Sequence, residues 1–524
     1  MRMIDHWLTS PWRRSATAAL AGALPVLAFP APSLWWFAYV ALVPWILLAR
    51  SAPTGRRALY DGWWGGIGFL VAVHHWLLPS LHVFIFLIAA LLGLLWAPWG
   101  WLVRRFLGGV PSPGRAAVAL LVLPSAWLAV ELVRSWQGLG GPWGMLGASQ
   151  WQVEPALRLA SVGGVWLLSF LVVAVNVAAA VLLAVRASRL PAVASLVATA
   201  AAASAAWAWA PHPDVGRRVR IAVVQPGIVA GQGSGDKRFD REEQLTRRLA
   251  GQDVDLVVWG ESSVGFDLDH RPDLARRLTA LSRETGADVL VNVDARRSDR
   301  PGIYKSSVLV GPHGLTGDRY DKMRLVPFGE YIPARSLLGW ATSVGRAAGE
   351  DRRRGTGQTV MDVGHGLRVG PLICFETAFP DMSRHLAEDG SDVLLGQSST
   401  SSFQHSWAPE QHASLAALRA AETGRPVVHA TLTGVSAVYG PGGQRLGPWL
   451  GTDASTARVY DVPLAHGVTP YVRYGDWPVH GALLVLVALG VTEGTRALRL
   501  RRSAPEPLAP PARTVHESPA RPSR

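Results

Sequence analysis

Cys374 is the single cysteine of the 524-residue chain. It ends an apolar run, Leu367 to Ile373, with Glu376 two residues beyond it. A thiol becomes a strong nucleophile when a base takes its proton, and acyl chemistry also needs a donor for the developing oxyanion. Two other strand ends carry such groups. Asp255-Leu256-Val257-Val258-Trp259-Gly260 leads into Glu261, with the glycine offering a turn, and Gly317-Asp318-Arg319-Tyr320-Asp321 leads into Lys322. Among 51 basic residues only Lys237, Lys305 and Lys322 are lysines, and arginine does not replace lysine where a compact, titratable ammonium is needed. Lys237 and Lys305 read as solvated surface residues. A lone cysteine in an apolar run is ordinarily a buried hydrophobe, so a catalytic reading of Cys374 depends on Glu261 and Lys322 meeting it. Ligands in α/β folds gather at strand carboxyl ends, which predicts one shared pocket. Extended spacing further predicts Glu376 beside the thiol.

These ends belong to residues 218–465, which read as an α/β domain. β-Branched runs at Val219–Val224, Val254–Trp259, Val289–Val293, Ser307–Val310, Val393–Leu395 and Val427–Thr431 alternate with helical stretches at 240–251, 272–285 and 408–423. Continuous apolar strands of this kind signal sheets buried on both faces.

Around that domain the chain has the composition of a membrane protein: 49% hydrophobic and 17% charged residues, with 23 Trp and 54 Gly. Apolar segments at 16–30, 33–49, 60–78, 81–103, 116–135, 160–187, 190–209 and 478–496 predict about eight spans. The short loops between them place Arg13, Arg14, Arg50, Arg56, Arg57, Arg104, Arg105, Arg115, Arg186 and Arg189 on one side, joined by Arg496, Arg499, Arg501 and Arg502. The positive-inside rule then puts both termini in the cytoplasm and residues 210–477 outside it. The expected organisation is a cytoplasmic N-terminus (1–15), a membrane domain (16–209), an extracytoplasmic domain (210–477), a last helix (478–496) and a basic, Pro-rich disordered tail (497–524). Trp136, Trp143 and Trp151 read as an interfacial belt. His74 and His75 read as packing residues at an exterior helix end. The net charge of +13 is dispersed and suits anionic lipid headgroups rather than nucleic acid. One cysteine excludes an intrachain disulfide, a zinc finger and a Cys-ligated iron–sulfur cluster.

Val-Val-Trp-Gly-Glu261-Ser, Tyr-Asp-Lys322-Met-Arg-Leu-Val-Pro-Phe-Gly-Glu330-Tyr-Ile-Pro and Pro-Leu-Ile-Cys374-Phe-Glu376 resemble the Glu–Lys–Cys triad of the nitrilase superfamily. Joined to N-terminal spans and one C-terminal span, Lys322–Pro333 resembles the apolipoprotein N-acyltransferase family, as does Leu418–Val428. The resemblance covers nearly the whole chain and implies an αββα sandwich for the exterior domain. It also implies Glu261 as general base, Lys322 as oxyanion donor and Cys374 as the acyl carrier. Glu330 matches the family's second glutamate and Glu376 the acidic residue after the nucleophile, both in supporting roles. Two departures stand out: Gly260 where the family usually has proline, and Ser398-Ser399-Thr400-Ser401-Ser402-Phe403 where it usually has a Ser-Asn-Asp-Ala-Trp-Phe-like stretch.

The resemblance implies ping-pong acyl transfer from a phospholipid to the N-terminal α-amine of a diacylated apolipoprotein, by a monomer, with no metal or organic cofactor. The 334–356 loop, with Leu337, Leu338 and Trp340, is a candidate gate. A membrane-tethered amidase or nitrile hydrolase using the same triad is the alternative. A transporter with an inactive exterior domain fits less well, because the spans carry little charge and Glu261, Lys322 and Cys374 are all present.

Overall fold

The computed structural model describes residues 9–211, 213–229, 231, 233–339 and 349–502. Residues 1–8 of the expected N-terminus, residues 340–348 of the candidate gate and the tail from 503 lie outside the described residues.

Among the described residues, five helices are long and apolar enough to cross a membrane: Phe84–Leu107, Pro113–Arg134, Glu154–Ala184, Arg186–Trp209 and Trp477–Arg499. They coincide with the last five expected spans. The three earlier segments differ. Pro25 falls where Pro11–Ala23 gives way to a 3₁₀ turn at Leu24–Ala28. The second segment divides into a 3₁₀ turn, Trp35–Tyr39, and a short helix, Val43–Arg50. The third, Gly55–Val73, carries Arg56, Arg57 and Asp61 in its first half. Its buried Asp61 pairs with Arg14 at 2.8 Å and Arg57 at 2.9 Å, so the buried carboxylate is partnered inside the bundle. The last helix exposes Leu484, Val487 and Val491, an apolar face that suits lipid.

The α/β part holds two sheets. One has the order β11-β1-β2-β3-β4-β5 and the other β10-β9-β8-β7-β6. The strands of the first are β1 Asp214–Gln225, β2 Leu256–Trp259, β3 Asp288–Arg296, β4 Ile303–Gly311, β5 Gly314–Asp321 and β11 Thr456–His466. Those of the second are β6 Met361–Val363, β7 Leu367–Ile373, β8 Val393–Ser398, β9 Val427–Thr431 and β10 Ala437–Tyr439.

Side-chain alternation shows how the layers form. Leu256 and Val258 enter the core between the sheets with Val369, Ile373, Leu395 and Val428. Val257 and Trp259 turn the other way, against Phe239, Leu245, Leu274 and Leu278 of the helices Ser234–Arg247 and Pro272–Thr285. The second sheet is covered by Pro380–Glu388 and Ala408–Thr423, whose Leu386, Leu415 and Leu418 join Leu372 and Leu394 in one core with the membrane helices. The layers therefore run helix, sheet, sheet, helix, and the last helical layer rests on the membrane bundle. Trp143 and Trp151 are buried at that junction, Trp151 stacked on Trp449 at 5.4 Å. Only Trp136 of the expected aromatic belt is exposed, because the helix Ala408–Thr423 and its neighbours cover the other two.

Candidate active site

The sheets are tied together at their carboxyl ends. Gln397 of β8 donates to Trp259 O at 2.8 Å and accepts from Ser307 Oγ at 2.5 Å. The amides of Glu261 and Leu432 both donate to Ser398 O, at 3.1 and 2.9 Å. These bonds bring the ends of β2, β8 and β9 to one place, and β7 lies beside β8 with Ile373 opposite Gln397. A Cβ at position 260 would sit 2.0 Å from Leu432 N, so the close approach of this segment requires glycine before Glu261. That accounts physically for the Gly260 departure.

Glu261, Lys322 and Cys374 meet. Lys322 Nζ lies 3.1 Å from Glu261 Oε1 and 2.7 Å from Glu330 Oε1, and Cys374 is close enough for the charges of Glu261 and Lys322 to act on its thiol. Lys322 is fully buried; Glu261 and Glu330 are nearly so. The second Glu330 oxygen accepts from Val326 N at 2.8 Å, fixing the loop after Lys322.

Cys374 has φ +53°, a left-handed conformation that a non-glycine residue adopts only under constraint. Its thiol is thereby turned out of the strand path as the chain enters the 3₁₀ turn Cys374–Ala378. His412 donates from Nε2 to Cys374 O at 3.0 Å, pinning that turn. Burial holds His412 neutral, at about 4.

Sequence spacing misplaces Glu376. The alternation rule holds for extended chain, and residues 374–378 are a turn, so Glu376 is not aimed at the thiol. Its Oε1 accepts from Met323 N (2.7 Å), Arg324 N (3.0 Å) and Tyr320 Oη (2.8 Å), and its Oε2 from Ile373 N (2.8 Å). Burial pushes this carboxyl up, yet four donors around two oxygens call for the ionised form. Glu376 thus binds the lysine segment to the cysteine segment. Glu376→Gln turns an amide N–H₂ towards donors and costs about 2–3 kcal/mol. The expected result is a lower inactivation temperature of the solubilised protein, and an unchanged one would contradict this role.

Lys305 is the largest departure from the sequence reading. It is not a solvated residue: its side chain is 12% exposed and its Nζ lies 2.8 Å from Glu261 Oε1 and 3.0 Å from Glu330 Oε1. It stands on β4, opposite Asp294 of β3, and its carbonyl accepts from Lys322 N at 2.8 Å. A hairpin register drawn from Gly311 and Gly314 sets Lys305 opposite Tyr320; the irregularity between Val308 and Val310 shifts the pairing by two residues and brings Lys305 beside Lys322. Lys237 lies on the helix Ser234–Arg247, away from this cluster. Arg352 is paired with Asp294 at 3.3 Å and Arg354 lies over the Tyr331 ring. His74 and His75 bond backbone carbonyls of their own helix, in keeping with packing roles.

The electrostatics set carboxylate and thiol far apart. Burial raises Glu261, but Lys305 and Lys322 more than reverse this and hold it at about 2. Burial, then the Glu261 charge, pushes Cys374 up to about 12, against the opposing pull of Lys322 and Lys305. The resting pair is therefore thiol and carboxylate. Alkylation of Cys374 by iodoacetamide should rise about tenfold per pH unit above neutrality. A rate already flat from about pH 7 would reveal a resting thiolate.

The surroundings of Cys374 are apolar on one side. Phe375, Ala378 and Phe379 share a core with Trp143 of a turn and with Trp166 and other residues of the membrane helices. Trp76 packs 5.2 Å from Trp143 and 4.9 Å from Phe403, and Trp143 lies 5.4 Å from His412. Phe403 ends the 398–403 stretch, so that departure borders this aromatic cluster.

Residues 21–178 match the family model of the apolipoprotein N-acyltransferase N-terminal domain, and residues 220–466 match that of carbon-nitrogen hydrolase. The chain is 32% identical over 526 residues to an apolipoprotein N-acyltransferase of Azotobacter vinelandii, covering 96% of this chain and 99% of that protein. Proteins of the same name from Pseudomonas aeruginosa and Geobacter metallireducens are 31% and 30% identical, covering 92% and 91% of this chain and 96% and 95% of theirs. Among solved structures, Saccharomyces cerevisiae Nit3, a member of branch 10 of the nitrilase superfamily, is 16% identical with a TM-score of 0.36, covering 50% of this chain and 93% of its own. An amidase from Nesterenkonia sp. is 19% identical with a TM-score of 0.36, covering 51% and 96%.

Proposed function

This chain belongs to the apolipoprotein N-acyltransferase family, and from that membership we propose that it N-acylates lipoproteins through a thioester on Cys374. It is an integral membrane acyltransferase with a nitrilase-type domain. In the first half-reaction Glu261 takes the thiol proton as sulfur attacks the ester carbonyl of a phospholipid. Lys322 donates an N–H to the resulting oxyanion. The C–O bond breaks, Glu261 returns the proton to the lysophospholipid alkoxide, and the acyl group stays on sulfur. In the second half, the α-amine of a diacylglyceryl-modified N-terminal cysteine attacks the thioester. Glu261 accepts the amine proton and passes it to the departing sulfur.

The observation that carries this reading is the position of the nucleophile's own turn, whose Phe375, Ala378 and Phe379 belong to the apolar core of the membrane helices. Both substrates are lipids, and a thiol at that boundary meets them without their leaving the bilayer. Burial of the proton-exchanging pair also keeps the oxyanion and thioester out of bulk water. The one-sided placement of arginine in the short loops supports an exterior-facing catalytic domain with both termini in the cytoplasm of an inner-membrane protein.

The test is to incubate the purified protein with phosphatidylethanolamine and a diacylated lipopeptide. The expected products are triacylated lipopeptide and lysophospholipid in equal amounts. Free fatty acid with no acylated peptide would favour the tethered-hydrolase alternative instead.

A further inference from the structure

Four charged side chains meet beside the thiol, and two are ammonium groups. Lys305 Nζ lies 2.8 Å from Glu261 Oε1 and 3.0 Å from Glu330 Oε1, while Lys322 Nζ lies 3.1 and 2.7 Å from the same two oxygens. Two cations thus bridge one pair of carboxylate oxygens, and the ring alternates in sign. We propose that Lys305 is a positioning residue of the acyl transfer: it shares the charge of Glu261 and Glu330 with Lys322, holding the base ionised and directed at Cys374. This rests on the reading of Glu261 as the base.

Two carboxylates and two ammoniums leave the cluster neutral, and it stays neutral when the thiol proton moves to Glu261. With Lys322 alone, a net negative charge would face a thiol that must become anionic. Lys322 would then be the only counter-ion for Glu330 and for the oxyanion as well. Lys322 has three N–H groups, two of them directed at Glu261 and Glu330, which leaves one for the substrate. Lys305 makes that division possible by supplying a second cation to the same oxygens.

The scaffold places Lys305 deliberately close. It sits between neighbours on both sides in the sheet, opposite Asp294 and bonded through its carbonyl to Lys322 N, with Nζ 3.9 Å from Asp294 Oδ2. Asp294 is itself held by Arg352, so its charge is already partnered. The charged and titratable groups around Glu261 are Lys305, Lys322, Glu330 and Cys374, with Asp294 and its partner Arg352 behind Lys305 and neutral His412 behind Cys374. Of these, only the two lysines bring positive charge directly to the carboxylate pair.

Full-length Lys305→Met, Lys305→Arg and Glu261→Gln variants, purified in detergent, would be mixed with phosphatidylethanolamine, and acylation of Cys374 followed by mass spectrometry across pH. Losing a cation at this distance raises a carboxyl by about 1–3 units, so the acid limb of the Lys305→Met profile should move up by that much. Its maximal acylation rate should fall about tenfold or more, with little change in lipid KM. Lys305→Arg, which keeps the charge, should restore both in part. A Lys305→Met protein that matches the unsubstituted enzyme in rate and acid limb overturns the proposal. So does an equal slowing of both lysine variants with an unmoved acid limb, the signature of a packing role. Acylation by Glu261→Gln at the full rate would overturn the base assignment itself, and with it the role given to Lys305.

Discussion

Replacing Cys374 with alanine abolishes acyl transfer while leaving the protein folded. The thiol makes one long hydrogen bond, 4.0 Å to Ser399 O, and alanine keeps the Cβ that packs at the edge of the core between the sheets, so little is lost with the sulfur. The strained turn survives because it is held from outside the side chain, by His412 on the carbonyl and by Glu376 on the preceding amide. Alanine offers no atom to carry the acyl group, and water cannot take that place in a transfer that needs a covalent intermediate. Serine in its place should fold and react far more slowly, since its hydroxyl gives up a proton less readily than a thiol. The measurement is lipopeptide acylation beside a melting profile. Loss of activity with an unmoved melt is expected, and surviving transfer would rule out the thioester route.

Glu261→Gln should lower the acylation rate by about 10²–10⁴-fold, the usual contribution of a positioned general base. Gln keeps the size and part of the hydrogen bonding, so Lys322 and Lys305 remain tethered through Glu330. The proton route is what disappears. The same substitution should change acid stability, with a definite sign. Glu261 is depressed to about 2 in the folded protein, so its ion pairs contribute fully above the ordinary carboxyl range and are lost as pH falls towards 2. The unsubstituted protein should therefore lose stability between about pH 5 and 2 more steeply than Glu261→Gln. Parallel acid-denaturation curves would contradict the paired, ionised state of Glu261.

Much of this site was legible because its chemistry sits at strand ends. The runs ending in Trp259 and Ile373 are continuous and apolar, and each stops at a residue able to react. Lys322 stood out through the scarcity of lysine. Lys305 did not, since its place depends on the pairing of β4 with β5, and a tripled polar pattern in that hairpin gives no burial signal. Glu376 was found but misdirected, because the turn imposed by Cys374 at φ +53° breaks the alternation on which its placement relied. His412 lies on a helix whose residues are almost all buried, so periodicity did not single it out. In the membrane domain the five longer spans were readable from hydropathy. The first segments were not resolved into short helices, because Pro25 and the buried Arg14–Asp61–Arg57 cluster act through local geometry and tertiary pairing. The edge strand β11 is absent from that reading for a related reason: a half-exposed edge lacks the apolar run that marks the centre of a sheet.

On the proposed route Cys374 carries the acyl chain between two lipid substrates. The most direct measurement incubates the purified protein with phosphatidylethanolamine alone, isolates the peptide containing Cys374, and weighs it before and after adding diacylated lipopeptide. The account predicts a hydroxylamine-labile acyl adduct on Cys374 that disappears as the lipopeptide gains the same chain. Transfer that proceeds with no adduct on Cys374, or an adduct that the lipopeptide cannot discharge, would contradict it.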